Sequence, residues 1–242
     1  IERQYCLLFY FLKFSTKIQR IMAYNGKRGY VSNENVSVPL FKNKWLDKLT
    51  RSHIAIPVSL FFLYAISLLY YTKIATELSN GQVIALFFGG TLFFTFVEYV
   101  VHRWAYHPGE HASESRQKFC YTVHGIHHDY PKDKQRLAMP PVPAILAATL
   151  LLIIFRTILG QYAFSFLAGF MVGYAFYLLI HYSVHIFRAP NNIFKGLWVN
   201  HAIHHYSEDE ILFGVSSPLW DYVFGTTPKN EKKKTSVEVK AE

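Results

Sequence analysis

Residues 124–141 read HGIHHDYPKDKQRLAMPP, and residues 200–214 read NHAIHHYSEDEILFG. Both stretches contain H-x-x-H-H, although histidine accounts for only 12 of 242 residues. A triple of this spacing would rarely arise twice by chance in such a chain. Each copy lies near a long apolar segment. The pair therefore predicts a histidine-rich site at the ends of apolar helices.

The apolar residues, 51% of the chain, are concentrated in four blocks. The blocks cover residues 54–71, 83–101, 142–159 and 162–182. Each approaches the roughly 20 residues that cross a bilayer as a helix. The third block carries Arg156 near its end, where the guanidinium would have to reach the membrane surface or face protein. We predict an all-α integral membrane protein with four transmembrane helices.

The basic residues predict the orientation of these helices. Lys and Arg concentrate before the first block, between the second and third, and after the fourth. By the positive-inside rule, both termini and the 102–141 loop lie in the cytoplasm. The net charge of +9 is then a consequence of membrane topology, and no nucleic-acid partner is predicted.

Ten of the twelve histidines fall near these cytoplasmic segments, in four groups. On an α-helix, residues three and four apart lie on one side, so each H-x-x-H-H is predicted to present three imidazoles to one point. Five residues turn an α-helix too far for a shared face, so we expect His102 to end its helix and His107 to follow on a loop before Pro108. The groups are His102/His107, His124/His127/His128, His181/His185 and His201/His204/His205.

Ten imidazoles exceed the needs of one metal ion, so the set predicts two ions. Imidazole binds iron, zinc, copper and nickel, and ligand type alone leaves the metal open. Carboxylates should orient the rings, and Glu98, inside an apolar block, is the first candidate. Asp221, Asp129 and Asp133 are further candidates. His53 and His111 lie outside the spacing pattern and are expected on the surface.

The motifs EYVVHRWAYH (98–107), HGIHHDYPKDKQRLAMPP, HYSVH (181–185) and HAIHHYSEDEILFGVSSPLWDYVFGT (201–226) resemble the integral-membrane fatty acid hydroxylase superfamily. They look most like its fatty acid (dihydroceramide fatty acyl) 2-hydroxylases. The resemblance covers about residues 40–228, the expected hydroxylase domain. Residues 1–39 would form an N-terminal cytoplasmic segment and residues 229–242 a charged tail.

The resemblance implies a membrane monooxygenase that hydroxylates C2 of a long fatty acyl chain, free or in a ceramide or other sphingolipid. It implies a cytoplasmic helical cap in which the ten histidines hold two iron ions, for which zinc could substitute in a purified sample, with O2 as co-substrate. A redox metal suits an aliphatic C–H bond, which offers no acidic proton. Relatives commonly carry an acidic residue where this chain has Leu178, which puts support of the site on that side in doubt.

The resemblance also bears on the electron donor, because some relatives carry a fused cytochrome b5 domain. The first 53 residues are too few to hold one, and the sequence has no flavin, haem or iron–sulfur motif. The expected donor is therefore a separate protein such as a cytochrome b5 or a ferredoxin with its reductase. The expected location is the endoplasmic reticulum in a eukaryote or the inner membrane in a bacterium.

Two other functions remain open. One is a sterol or carotenoid hydroxylase of the same superfamily. The other is a metal-binding or metal-transport membrane protein, although transport sites usually lie near the bilayer midplane. Several apolar residues after the last histidines would either roof the substrate cavity or simply pack the domain: Leu212, Phe213, Leu219, Trp220 and Phe224.

Overall fold

The computed structural model describes residues 31–109 and 111–228. Most of the predicted N-terminal segment and the whole tail at 229–242 lie outside the described residues. The four apolar blocks are all helical. They form α2 (Ala55–Ala75), α3 (Asn80–Val100), α6 (Pro141–Leu159) and α7 (Ala163–Ile186).

The ends of these helices follow from local sequence. Ser79 and Gln82 form a reciprocal capping box that starts α3. Pro141 occupies the first turn of α6, where its missing N–H costs nothing. Gly160, with φ of +59°, ends α6 in a conformation that glycine adopts readily.

Three stretches are long and apolar enough to cross a membrane: Ala55–Ala75, Asn80–Tyr106 and Pro141–Ile186. The third, of 46 residues, contains both α6 and α7. A short 3₁₀ turn at Gly160–Tyr162 separates the two helices, which pack against each other. The last two predicted blocks are therefore a helical hairpin.

Helix α7 lies at the centre of the fold and packs against α2, α3 and α6. A Cβ atom on Gly90 would lie 1.9 Å from the Phe166 carbonyl oxygen, and one on Gly169 would lie 1.8 Å from that of Phe87. The backbones of α3 and α7 therefore touch, as small residues permit in membrane helix pairs. This contact fixes the ends of both helices, from which His102 and His181 project.

Two π-helical segments carry histidines. Helix α3 continues as a π-helix over Val101–Tyr106. Helix α4 (Glu114–Cys120) continues as a π-helix over Tyr121–Gly125 and then as α5 (Ile126–Asp129). The expectation that His102 ends its helix was wrong, because the helix runs on to Tyr106. A π-turn bonds residues five apart, so it brings His107 back beside His102, with ring centroids 5.2 Å apart.

Three short helices complete a cap over this end of the membrane helices. They are α1 (Lys44–Leu49), α8 (Lys195–Tyr206) and α9 (Leu219–Phe224). Helix α8 packs on α7 and α9 packs on α3. Helix α8 carries the second H-x-x-H-H, which places it opposite the first.

Candidate metal centre

The ten predicted histidines come together in two clusters of five. Within each cluster, one ring nitrogen per residue lies within 4.8 Å of the others. Nine of the ten side chains are buried, and His107 is half-buried. We call the sets cluster I (His102, His107, His124, His128 and His204) and cluster II (His127, His181, His185, His201 and His205).

Each H-x-x-H-H motif is divided between the clusters. The prediction that one motif presents three imidazoles to one point was wrong. Residues three and four positions along an α-helix turn to opposite sides of the first, by about 60° and 40°. In the first motif, His124 and His128 join cluster I while His127 joins cluster II, with His124 on the π-helical segment that precedes α5.

The second motif divides in the opposite sense. His201 and His205 join cluster II, and His204 joins cluster I. At the boundary, the rings of His128 and His205 stack with centroids 4.1 Å apart. The two motifs thus link the clusters, each giving two histidines to one cluster and one histidine to the other.

The spacing of the Nε2 atoms suits metal coordination. In cluster I, His124 Nε2 lies 3.0 Å from His102 Nε2 and 2.7 Å from His128 Nε2. In cluster II, the Nε2 atoms of His181 and His127 are 2.9 Å apart, and those of His201 and His185 are 2.7 Å apart. Ligands about 2.1 Å from one ion at roughly right angles lie about 3 Å from each other.

Backbone carbonyls orient three of the rings. His102 Nδ1 lies 2.6 Å from the Phe213 oxygen, His204 Nδ1 2.8 Å from that of Ile211, and His181 Nδ1 3.3 Å from that of Leu137. A carbonyl only accepts, so each Nδ1 carries the proton and each Nε2 turns a lone pair into its cluster. Converging lone pairs repel one another unless a cation lies between them. The donor set therefore fits a metal ion in each cluster.

The protonation state of four further histidines also suits metal binding. Burial, reinforced by the neighbouring histidines, lowers the pKa of His124, His127, His201 and His205 well below its ordinary value. These imidazoles are therefore neutral at pH 7, which is the form that binds metal.

Glu98 binds a loop of the cap. Its Oε1 accepts hydrogen bonds from the backbone N–H groups of Val215 (2.7 Å) and Ser216 (2.8 Å), and its Oε2 accepts one from the Ser216 hydroxyl. The carboxylate thus joins the end of α3 to the segment that follows the second H-x-x-H-H.

Asp221 holds the same loop from the other side. It accepts from the N–H groups of Phe213 (2.8 Å) and Gly214 (2.9 Å) and from the Thr226 hydroxyl (2.7 Å). Burial raises the pKa of its carboxyl, although these hydrogen bonds oppose the shift. Asp221 accepts from the Phe213 N–H, and the Phe213 carbonyl accepts the hydrogen bond from His102 Nδ1–H. Asp221 therefore supports the His102 ring through the backbone of one residue.

Of the two other candidate carboxylates, Asp133 lies in the loop after the first motif and Asp129 ends the helix that carries it. Asp133 is buried, accepts from the Ser37 hydroxyl at 2.5 Å and lies 3.5 Å from Arg136 Nε. Asp129 accepts from the Tyr121 hydroxyl at 3.0 Å. His53 and His111 are exposed and belong to neither cluster, as expected.

A cavity of about 590 Å³ runs from the clusters into the membrane helices. His102, His124, His127 and His181 line one end of it. Most of the other lining side chains are apolar, among them Phe61, Phe94, Ala148, Leu151 and Met171.

Sequence reasoning missed three tyrosines that line this cavity: Tyr106, Tyr174 and Tyr177. The Tyr106 ring stacks on His124 at 4.9 Å, and the Tyr177 ring stacks on His181 at 5.4 Å. Tyr177 lies four residues before His181 on α7, so helical spacing from a predicted ligand would have indicated it.

The apolar residues after the second motif are not among those lining this cavity in the described chain. Trp220 and Phe224 pack against Phe96, with ring centroids 4.9 and 6.4 Å away, and Phe213 packs against Tyr99. Phe213, Trp220 and Phe224 therefore pack against the domain, as one of the two alternatives predicts, whereas Leu219 is 44% exposed.

Comparisons with known proteins identify the same family that the histidine motifs resemble. The fatty acid hydroxylase family profile matches residues 87–226. The chain is 34% identical to the ceramide very long chain fatty acid hydroxylase scs7 of Schizosaccharomyces pombe, over 84% of this chain and 59% of that protein. It is 38% identical to the fatty acid 2-hydroxylase of Mus musculus, over 59% of this chain and 39% of that protein.

A solved structure is also similar. The hydroxylase domain of full-length scs7p matches with a TM-score of 0.72 and 28% identity, over 79% of this chain and 72% of that chain. The chain spans 59% and 39% of the lengths of the two curated relatives named above.

Proposed function

Because this chain belongs to the fatty acid hydroxylase family, we propose that it is a membrane monooxygenase that hydroxylates C2 of a long fatty acyl chain, free or within a ceramide. The observation that carries the proposal is the pair of five-histidine clusters at one end of a long apolar cavity. The curated relatives named as fatty acid 2-hydroxylases and ceramide hydroxylases support the substrate class.

The proposed ions are two irons, one in each cluster. When bound, they would supply activation of O2 with two electrons and two protons, so that one oxygen atom is inserted into the C–H bond and the other leaves as water. Zinc would fit the same imidazoles in a purified sample. The chain itself would contribute neutral imidazole ligands, their fixed orientation and a cavity with mainly apolar walls.

The cavity supports C2 as the position of attack. Its histidines lie at the cap end, whereas the walls toward Leu151 are apolar. At 1.5 Å per residue, Leu151 lies about 15 Å further along α6 than Pro141. An acyl chain lying there with its tail inward would bring the carbons next to its carbonyl beside the clusters. The phenols of Tyr106, Tyr174 and Tyr177 offer hydrogen-bond donors for that carbonyl.

The proposed topology has four membrane crossings with both termini in the cytoplasm. The stretch Pro141–Ile186 has 46 residues, which as a straight helix would be about 70 Å long against a hydrocarbon core of about 30 Å. The turn at Gly160 folds it into two crossings. The location would be the endoplasmic reticulum or a bacterial inner membrane.

The proposed electron donor is a separate cytochrome b5 or a ferredoxin with its reductase. We expect purified, iron-loaded protein to be inactive with a long-chain acyl substrate alone. Adding the donor system should give a 2-hydroxy product under air and none under nitrogen, with the hydroxyl located by mass spectrometry.

This experiment also separates the alternatives. A hydroxyl placed in the middle of the chain would contradict attack at C2, and product formed without oxygen would contradict the monooxygenase. Conversion of a sterol or carotenoid, with acyl substrates untouched, would favour the sister activity.

Glu98→Gln is expected to keep the fold and lower turnover by about 10–100-fold, as loss of an outer carboxylate typically does. The amide oxygen can still accept from the Val215 and Ser216 N–H groups, so the substitution removes mainly the negative charge of the carboxylate. Turnover and bound metal are measured together. Glu114→Gln, whose side chain is exposed and pairs with Lys118, is the matched control and should be silent. Wild-type kinetics in Glu98→Gln would mean that the carboxylate merely fills an interface.

A further inference from the structure

Helix α1 carries large apolar side chains on its outer side. Trp45, Leu46 and Leu49 are 78%, 50% and 63% exposed. Asp47, on the opposite side, is 7% exposed. Residues four apart share a helix face, so Trp45 and Leu49 form one apolar edge. The arrangement is typical of a helix whose outer face meets something other than water.

The position of α1 indicates what covers that face. Arg136, just before α6, donates to Thr50 Oγ1 (2.7 Å) and to Asp47 Oδ1 (3.1 Å). The Ser52 N–H donates to the Gln135 carbonyl at 2.9 Å. Helix α1 is therefore fixed between the starts of two membrane helices, α2 at Ala55 and α6 at Pro141. Both starts lie where the apolar stretches begin, which is the level of the membrane surface.

The charges around α1 match a lipid surface. Lys42, Lys44 and Lys48 are exposed beside Trp45. Tryptophan favours the interface between head groups and acyl chains, and lysines beside it attract anionic head groups.

The cavity opens beside this helix. Leu40, Phe41, Leu49 and Thr50 line it from the α1 side. Phe41 and Leu49 are also exposed, at 40% and 63%. Phe119 and Val123, which precede the first H-x-x-H-H, also line the cavity and are 53% and 43% exposed.

We propose that α1 lies in the lipid interface and forms the inner edge of a lateral doorway, through which an acyl lipid passes from the leaflet into the cavity. The partner of this surface is the lipid leaflet itself. The identity of the lipid that passes rests on the proposed function, whereas the depth of α1 in the membrane does not.

The depth of α1 is measured with a nitroxide label at Trp45→Cys, in protein whose two native cysteines are replaced by serine, reconstituted into phosphatidylcholine vesicles with phosphatidylserine. Matched labels are placed at Ile66→Cys, on the outer side of α2, and Glu208→Cys, on the exposed cap. We expect collisions with O2 to exceed those with a water-soluble nickel complex at positions 45 and 66, and the reverse at 208. A label at 45 as accessible to nickel as that at 208 would overturn the proposal.

The doorway is tested with Trp45→Glu and Leu46→Glu. We expect KM for an acyl substrate embedded in vesicles to rise about tenfold, because a charge resists the apolar part of the leaflet. The kcat and the bound metal should be unchanged, and KM for the same substrate in detergent micelles should move little. Asn191→Glu, on an exposed loop of the cap, is the control for added charge.

Equal KM values in vesicles for variant and wild type, or equal losses in vesicles and micelles, would contradict a doorway at α1. A wild-type protein that makes no hydroxylated lipid, with the label at 45 in the leaflet, would instead contradict the proposed function and leave the membrane contact intact.

Discussion

His204→Ala is expected to abolish hydroxylation, a loss of more than the roughly 100-fold that follows loss of an outer-shell partner. The change removes an imidazole from cluster I and frees the Ile211 carbonyl that now orients it. His127→Ala should be equally damaging through cluster II. His111→Ala, at an exposed position outside both clusters, is the matched control and should keep wild-type turnover and metal content.

Metal stoichiometry in double variants tests the division of the motifs. His127→Ala with His205→Ala removes two ligands from cluster II, so we expect about one ion per chain to remain. His127→Ala with His204→Ala removes one ligand from each cluster, so we expect both ions to be weakened in an equilibrium titration. If instead His204→Ala with His205→Ala weakened only one ion, each motif would serve a single ion and the division would be contradicted.

The convergence of the histidines was predictable, but their division was not. Spacing alone indicated that all ten would meet, and the structure places all ten in two adjoining clusters. Their role as ligands stays a prediction. The division depends on the angle between residues three and four apart, which the simple rule of a shared helix face ignores. The return of His107 to His102 depends on a π-turn, which the α-helical spacing rule does not anticipate.

The groups that accept hydrogen bonds from the imidazole rings could not be predicted from the sequence either. The search for carboxylates was sound chemistry, because buried imidazoles need an acceptor for their second nitrogen. In this fold the acceptors for His102, His181 and His204 are backbone carbonyls, which every residue has and no side-chain pattern indicates. Glu98 and Asp221 act one step away, on the loop that supplies two of those carbonyls, from Ile211 and Phe213.

The four apolar helices were the easiest feature to predict, because continuous apolar blocks of this length have few other uses. The cavity between them was not predictable. Its walls come from small side chains such as Ala144 and Ala148 on α6 and from Met171 on α7, each of which would equally suit a filled core. Only the relative positions of the helices leave the space open.

Ala148→Phe is expected to lower kcat/KM for long acyl chains by about 100-fold, since overpacking a filled site costs up to about 3 kcal/mol. Ala148 is buried, lines the cavity and lies about 10 Å further along α6 than Pro141. A phenyl ring there would occupy the space for the distal carbons and leave both clusters untouched. An acyl chain too short to reach that depth should be turned over at a nearly unchanged rate, and the bound metal should be fully retained.

Thr149→Phe separates blockage of the cavity from general damage, because Thr149 is the next residue on α6 and is exposed on its outer side. It should leave both chain lengths unaffected. Lower metal content would show that Ala148→Phe is poorly folded. In that case Ala148→Leu, which adds less volume at the same position, is used instead. It should produce a smaller loss of kcat/KM with the same preference for short chains. Equal losses for short and long chains with full metal content would mean that the acyl chain does not lie in this cavity. The substrate would then have to reach the clusters from the cap side, and the apolar walls along α6 would have no part in choosing its length.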